Sequence, residues 1–167
     1  STGTGRIWHH HRWGPGIMEA ANKGAQEVGG ISIGLPMESL SGEPSNQFQD
    51  LSLVFRYFVA RKTMFIKHAE AMVIFPGGFG TLDELFEALV LVQTRRVHPF
   101  PIILYGQAFW SGLLIWIRDT LATSTHTIDP GDPDLLSVSD SPQEVVKLVE
   151  EAYRTNACRA RPPSLYR

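Results

Sequence analysis

Short apolar runs alternate with longer stretches of helical period along most of this chain. Ala71-Met72-Val73-Ile74-Phe75 and Phe100 to Tyr105 are continuous apolar runs, Ile31 to Leu35 and Leu51 to Phe55 are shorter strand-like stretches, and Leu136-Ser137-Val138 is a further one. Between them, apolar positions recur every three to four residues. A helix is predicted from Gly14-Pro15-Gly16 through Ile17, Met18, Ala20, Ala21, Ala25 and Val28, stopping at Gly29-Gly30. Others are predicted over about 57–69, with Phe58, Met64 and Phe65 as core, and over 82–94 and 109–121. Ser141-Pro142-Gln143-Glu144 spells a capping box with proline at the first helical position, opening a last helix to about Tyr153. Continuous apolar strands alternating with helices predict an α/β fold built on a doubly wound parallel sheet, covered on both faces.

Two ends of the chain depart from that pattern. Ser1 to Trp13 has no period and does not read as a strand, so the sheet is expected to lack one or two N-terminal strand-helix units. Arg154 to Arg167 reads as a mobile tail. The organisation expected is therefore an atypical segment over 1–13, one α/β domain over 14–153, and a tail over 154–167.

Composition narrows the function. At 167 residues, with 43% apolar residues and a formal net charge of -2, the chain suits a soluble globular domain and lacks the basic stripe of a nucleic-acid binder. Cys158, the single cysteine, supports neither a disulfide framework nor a thiolate nucleophile. No apolar run reaches the roughly 20 residues of a membrane span, and no signal-peptide segment is seen, so no membrane partner and a cytoplasmic location are expected. His9-His10-His11 could suggest a metal, but consecutive residues do not converge on one ion and no carboxylate is nearby; no metal site is expected.

The chemistry gathers in three loops. In an open parallel sheet a ligand lies outside the carboxyl ends of the strands. Gly14-Pro15-Gly16 is the first such loop, and the second is the long polar stretch Pro36 to Gln49, which carries Glu38 and leads on to Arg61-Lys62. The third, Pro76-Gly77-Gly78-Phe79-Gly80-Thr81-Leu82-Asp83-Glu84, follows an apolar run and opens a helix, a layout that presents backbone N–H groups to an anion such as phosphate. Gly77, Gly78 and Gly80 allow close approach, Thr81 adds a hydroxyl, and Arg61 with Lys62 can neutralise a phosphate. Plain structural roles stand beside these. Thr81-Leu82-Asp83-Glu84 also spells a capping box, in which Glu84 would only bond the N–H of Thr81. Arg61 and Lys62 could be solvated helix residues.

Taken together, Gly14-Pro15-Gly16-Ile17-Met18-Glu19-Ala20-Ala21-Asn22, Phe55 to Lys62 and Pro76 to Leu85 resemble the LOG (Lonely Guy) family, long labelled "possible lysine decarboxylase". The resemblance covers about residues 14 to 153. It implies a Rossmann-like homodimer that hydrolyses the N-glycosidic bond of nucleoside 5′-monophosphates, AMP or N6-modified cytokinin riboside monophosphates, to free base and ribose 5-phosphate. Arg61 and Glu84 match the family's catalytic pair. Gly77, Gly78, Gly80 and Thr81 match its phosphate-binding turn, Lys62 an adjoining substrate contact, Glu38 a carboxylate near the nucleotide, and Gly14 and Gly16 the first loop. Such chemistry suits these residue types, since a carboxylate can stabilise the positive charge that develops on ribose and orient water, while an arginine holds the phosphate or the departing base. No cofactor is implied; the decarboxylase label would call for pyridoxal phosphate on a Schiff-base lysine, and Lys62 lies beside the phosphate site. The chain departs from the family at His11-Arg12-Trp13-Gly14, where members carry a glycine-rich strand end, and an N-terminally truncated domain is expected. Two other readings compete with the hydrolase: a nucleotide or molybdenum-cofactor binding protein without turnover, and an inactive fragment.

Overall fold

The computed structural model describes residues 6–9, 16–38 and 46–157, with side chains over 16–38 and 46–155. The chain forms two compact units, Ser1–His68 and Ala69–Arg167. Each carries a three-stranded, wholly parallel sheet.

In the first unit the order is β1 (Arg6–His9), β2 (Ile31–Gly34), β3 (Leu51–Ser52), with Arg6 opposite Ile31 and Ile33 opposite Leu51. β1 corrects the expectation of no strand before Trp13. Its four residues carry no alternation of their own, and pairing along β2 supplies what local pattern does not. His10 and His11 lie outside the described residues, as do Gly14 and residues 158–167; residues 154–157, expected to open the tail, instead continue the last helix. The helix α1 (Ile17–Glu27) buries Asn22 and Ala25 and ends as expected at the paired glycines. Gly29, at φ 73°, donates its N–H to Gln26 O and Gly30 donates to Ala25 O, the doubly bonded helix end that a left-handed residue makes.

The crossover from β2 to β3 is held by a polar network instead of apolar packing alone. Asn22 Nδ2 donates to Ser32 Oγ, Asn46 Nδ2 donates to Asn22 Oδ1 at 2.9 Å, and Ser32 N–H donates to Asp50 Oδ2 at 2.7 Å. Asn22 and Ser32 are fully buried. Beyond β3, Leu53 N–H donates to Gly34 O at 2.9 Å and a single parallel bridge joins Met37 to Phe55, so the run expected over 51–55 stays bonded to the chain after β2 although only its first two residues form a strand. α2 (Phe58–Lys67) follows.

The second unit orders its strands β4 (Met72–Ile74), β5 (Ile102–Tyr105), β6 (Leu136–Ser139). Ile102, Ile103 and Leu104 of the central strand have no exposed surface, as a strand covered on both faces requires. α3 (Phe79–Gln93) buries Thr81, Glu84, Leu85, Ala88 and Val92, one stripe at helical spacing. α4 (Gln107–Trp116) sets Trp110 in the core, its Nε1–H donating to Tyr105 O at 3.0 Å. The helix expected to run on to Leu121 changes to a π-helical stretch, Ile117–Ser124, in which the wider turn is closed by Thr125 N–H on Thr120 O at 2.8 Å. A short 3-10 turn, Asp132–Leu135, precedes β6, and α5 (Pro142–Ala157) ends the described chain. No helix among the described residues is long and apolar enough to cross a membrane.

Candidate functional site

The glycine loop leaves β4 at Ile74 and enters α3 at Phe79, at the carboxyl end of its strand. Gly78 is the N-cap, without a side-chain cap bond, and it accepts the first helical bonds from Thr81 at 3.0 Å and Leu82 at 3.1 Å. The capping box expected from Thr81 to Glu84 is therefore not formed. The helix begins three residues earlier than its apolar period suggests, because glycines satisfy the backbone geometry of a helix start without adding any hydrophobic signal. Thr81 becomes the third helical residue and Glu84 the sixth, on the inward stripe. Only 4% of Glu84 is exposed.

Close packing explains the first glycine of the turn. A Cβ on Gly77 would overlap Thr81 Oγ1 and stand 2.8 Å from Thr81 Cβ, whereas one on Gly78 would meet nothing within 4 Å. The chain thus folds tightly over Thr81 at Gly77 and is open at Gly78, where a ligand can approach the backbone. Phe79, next along, is 92% exposed. Gly80 completes the first turn, whose N–H groups precede the intrahelical ladder.

The neighbouring helix starts in this unit are treated differently. Asp140 Oδ1 accepts the N–H of Gln107 at 2.7 Å and so places a carboxylate on the first turn of α4. At α5, Ser141 Oγ accepts the N–H of Glu144 at 3.4 Å, as its capping box predicts. The returning half of that box is rerouted: Glu144 Oε2 takes the Ser139 hydroxyl at 2.6 Å, and Ser139 Oγ accepts the Ser141 N–H at 3.0 Å. α3 and α4 both have a glycine N-cap without a side-chain cap bond, Gly78 and Gly106, but only α4 carries the Asp140 carboxylate on its first turn. Asp140 puts a negative charge at the start of α4, which disfavours an anion there; no acidic residue lies in the first turn of α3.

In the first unit Arg61 and Lys62 occupy the second turn of α2. Arg61 is 4% exposed, so it is no solvated helix residue. Its guanidinium carbon lies 5.8 Å from the Phe58 ring centroid, and Lys62 Nζ lies 5.5 Å from the same ring. Phe58 was expected in the core, yet it is 45% exposed, and Met64 and Phe65 are half-buried. The ring instead serves as a face for two cations, a use that hydrophobic period cannot signal. Glu38 is exposed; its N–H donates to Phe55 O at 2.8 Å, which ties the loop after β2 to the segment entering α2. Gly16 is the N-cap of α1, at φ 138° and also without a side-chain cap.

Asn22, Ser32, Asn46 and Asp50 were not singled out as a group from sequence. They are scattered polar residues, and only the fold brings them into one hydrogen-bonded cluster. Glu87 was also missed; it is half-buried one turn beyond Glu84.

These features define a Rossmann-like α/β protein with a glycine turn whose N-cap makes no side-chain cap bond. The family model described as "Possible lysine decarboxylase" matches residues 18–149, and the chain belongs to this family, the LOG family. It is 28% identical over 138 residues to a cytokinin riboside 5′-monophosphate phosphoribohydrolase of Arabidopsis thaliana, covering 81% of this chain and 60% of that protein. A protein of the same name from Mycobacterium tuberculosis is 28% identical over 140 residues, covering 81% and 73%. The chain spans about six-tenths of the length of the plant relatives it matches. Among solved structures, the molybdenum cofactor binding protein of Rippkaea orientalis superposes with a TM-score of 0.58 at 20% identity, covering 81% of this chain and 71% of that one, a likeness of fold.

Proposed function

We propose that this protein hydrolyses the N-glycosidic bond of a purine nucleoside 5′-monophosphate, AMP or an N6-modified relative. Water adds to C1′ of the ribose and the bond to the base breaks. One proton of the water is taken up, the base leaves with a proton on nitrogen, and ribose 5-phosphate remains. The reading rests above all on the buried stripe of α3, where a carboxylate is kept among Leu85, Ala88 and Val92 directly beyond an uncapped glycine turn. A purely structural helix would place an apolar residue at position 84 and a capping side chain at position 78.

In this proposal Gly77, Gly78, Gly80 and Thr81 hold the phosphate. That unreactive end supplies the binding energy that positions the sugar. Glu84 stabilises the oxocarbenium-like charge and orients the water. Arg61 supplies a fixed positive charge to the phosphate or the departing base, Lys62 a second one, and Glu38, Gly14 and Gly16 border the nucleotide. The names of the plant and mycobacterial relatives support the substrate class. A homodimer in the cytoplasm completes the proposal, with the exposed Phe86 and Val90 of α3 as apolar surface available to a second copy.

The test is release of ribose 5-phosphate from AMP and from N6-isopentenyl-AMP by the purified chain. Glu84→Gln is expected to lower kcat by at least about 100-fold with nucleotide still bound, the scale of losing one charge-stabilising group. Nucleotide binding without product in either protein would favour a non-hydrolytic binder. Equal rates in both would remove Glu84 from the mechanism.

A further inference from the structure

The far end of α3 carries a second feature that nucleotide hydrolysis does not use. A cleft of about 610 Å³ lies between the end of this helix, the strand approach at Val97 to Pro99, and the 3-10 turn before β6. α3 has 15 residues, so roughly 22 Å of helix separates the cleft from the glycine turn. Arg95, Arg96 and His98 are among the residues that line it, and Val92, Val97 and Leu135 supply apolar wall. Asp132 also borders the cleft, but its Oδ2 accepts from Gln93 Nε2 at 2.5 Å and from the Asp129 N–H at 2.9 Å. Among the described residues, neither arginine side chain has an ion pair or a side-chain hydrogen bond.

The backbone gives an independent reason to look here. α3 ends in the same doubly bonded motif as α1: Arg95 N–H donates to Val92 O at 3.1 Å and Arg96 N–H to Leu91 O at 2.9 Å. In α1 the left-handed position belongs to Gly29; in α3 it belongs to Arg95, at φ 55°. Stabilising the helix dipole with a cation does not require this placement, because Arg96 offers a charge at the same helix end without a left-handed backbone. Glycine would serve the turn better, and arginine stands there instead.

We propose that this cleft is a binding site for a phosphorylated small molecule with an apolar part, distinct from the glycine turn. The two guanidiniums take the phosphate in charge-assisted, bidentate hydrogen bonds, and the rest of the molecule lies on Val92, Val97 and Leu135.

Phenyl phosphate and inorganic phosphate serve as probes, titrated into the 15N-labelled full chain and followed by amide shifts. Phenyl phosphate is expected to shift residues 92–98 saturably and to bind several-fold more tightly than inorganic phosphate. Arg95→Gly and Arg96→Ala should each weaken it by roughly tenfold or more, the worth of one charge-assisted hydrogen bond. Arg95→Gly keeps the backbone turn and should melt no lower than the parent, which separates lost binding from lost folding. Shifts confined to residues 77–81, equal affinity in all three proteins, or equal affinity for the two probes would overturn the proposal.

Discussion

Single residues here repay attention where chemistry and local rule disagree. Arg95 is one: a non-glycine residue held left-handed costs about 1 kcal/mol, so Arg95→Gly is predicted to stabilise the chain by about that much, raising the midpoint of urea unfolding. A lower midpoint would mean the arginine packs usefully in the resting protein. Asn22 is another. It is buried and bonds both Ser32 and Asn46, and Asn22→Ala would strand those partners; a loss of about 1–3 kcal/mol is expected in the same measurement. Glu84 and Arg61 each sit at 4% exposure, and burial of a charged side chain is what a helix avoids unless the charge is used. The sequence alone left both with bland alternatives, a capping box and a solvated face. Coordinates remove those alternatives, because helix register and burial depend on contacts that residue spacing does not contain.

Helix starts divide the work among elements. Asp140 stands on the first turn of α4, so Asp140→Ala should cost about 1 kcal/mol of stability while leaving nucleotide affinity unchanged by calorimetry. Gly77→Ala should act in the opposite sense. Its new methyl would press on Thr81 and move the turn, and the account predicts a KM for a nucleotide raised at least about tenfold, since the N–H groups proposed to hold the phosphate would lose alignment. If Asp140→Ala weakened nucleotide binding as much as Gly77→Ala, the division between the two helix starts would be wrong. Elements with strong periodicity, such as α1, α3, β4 and β5, were legible from the apolar pattern. Those that were not owe their form to other forces. β1 exists through pairing with β2, β3 shrinks to two residues beside a single bridge, and the π-helical stretch after α4 comes from a change of hydrogen-bond reach that leaves hydrophobic spacing almost untouched.

At the scale of the whole molecule, alternation of strands and helices was enough to give a parallel α/β fold. Three separated motifs were enough to give the family, whose model covers residues 18–149. What a linear reading could not provide is which helix start stays open; that follows from Gly78 standing as the N-cap of α3 while Asp140 occupies α4. The central claim is that this open turn serves a hydrolysis in which the acid at position 84 carries the reactive burden. Ribose 5-phosphate release from AMP by the parent chain and by Glu84→Gln tests it most directly. The account predicts steady product from the parent and a drop of at least about 100-fold in the variant at saturating AMP. Matching rates in the two proteins would contradict it.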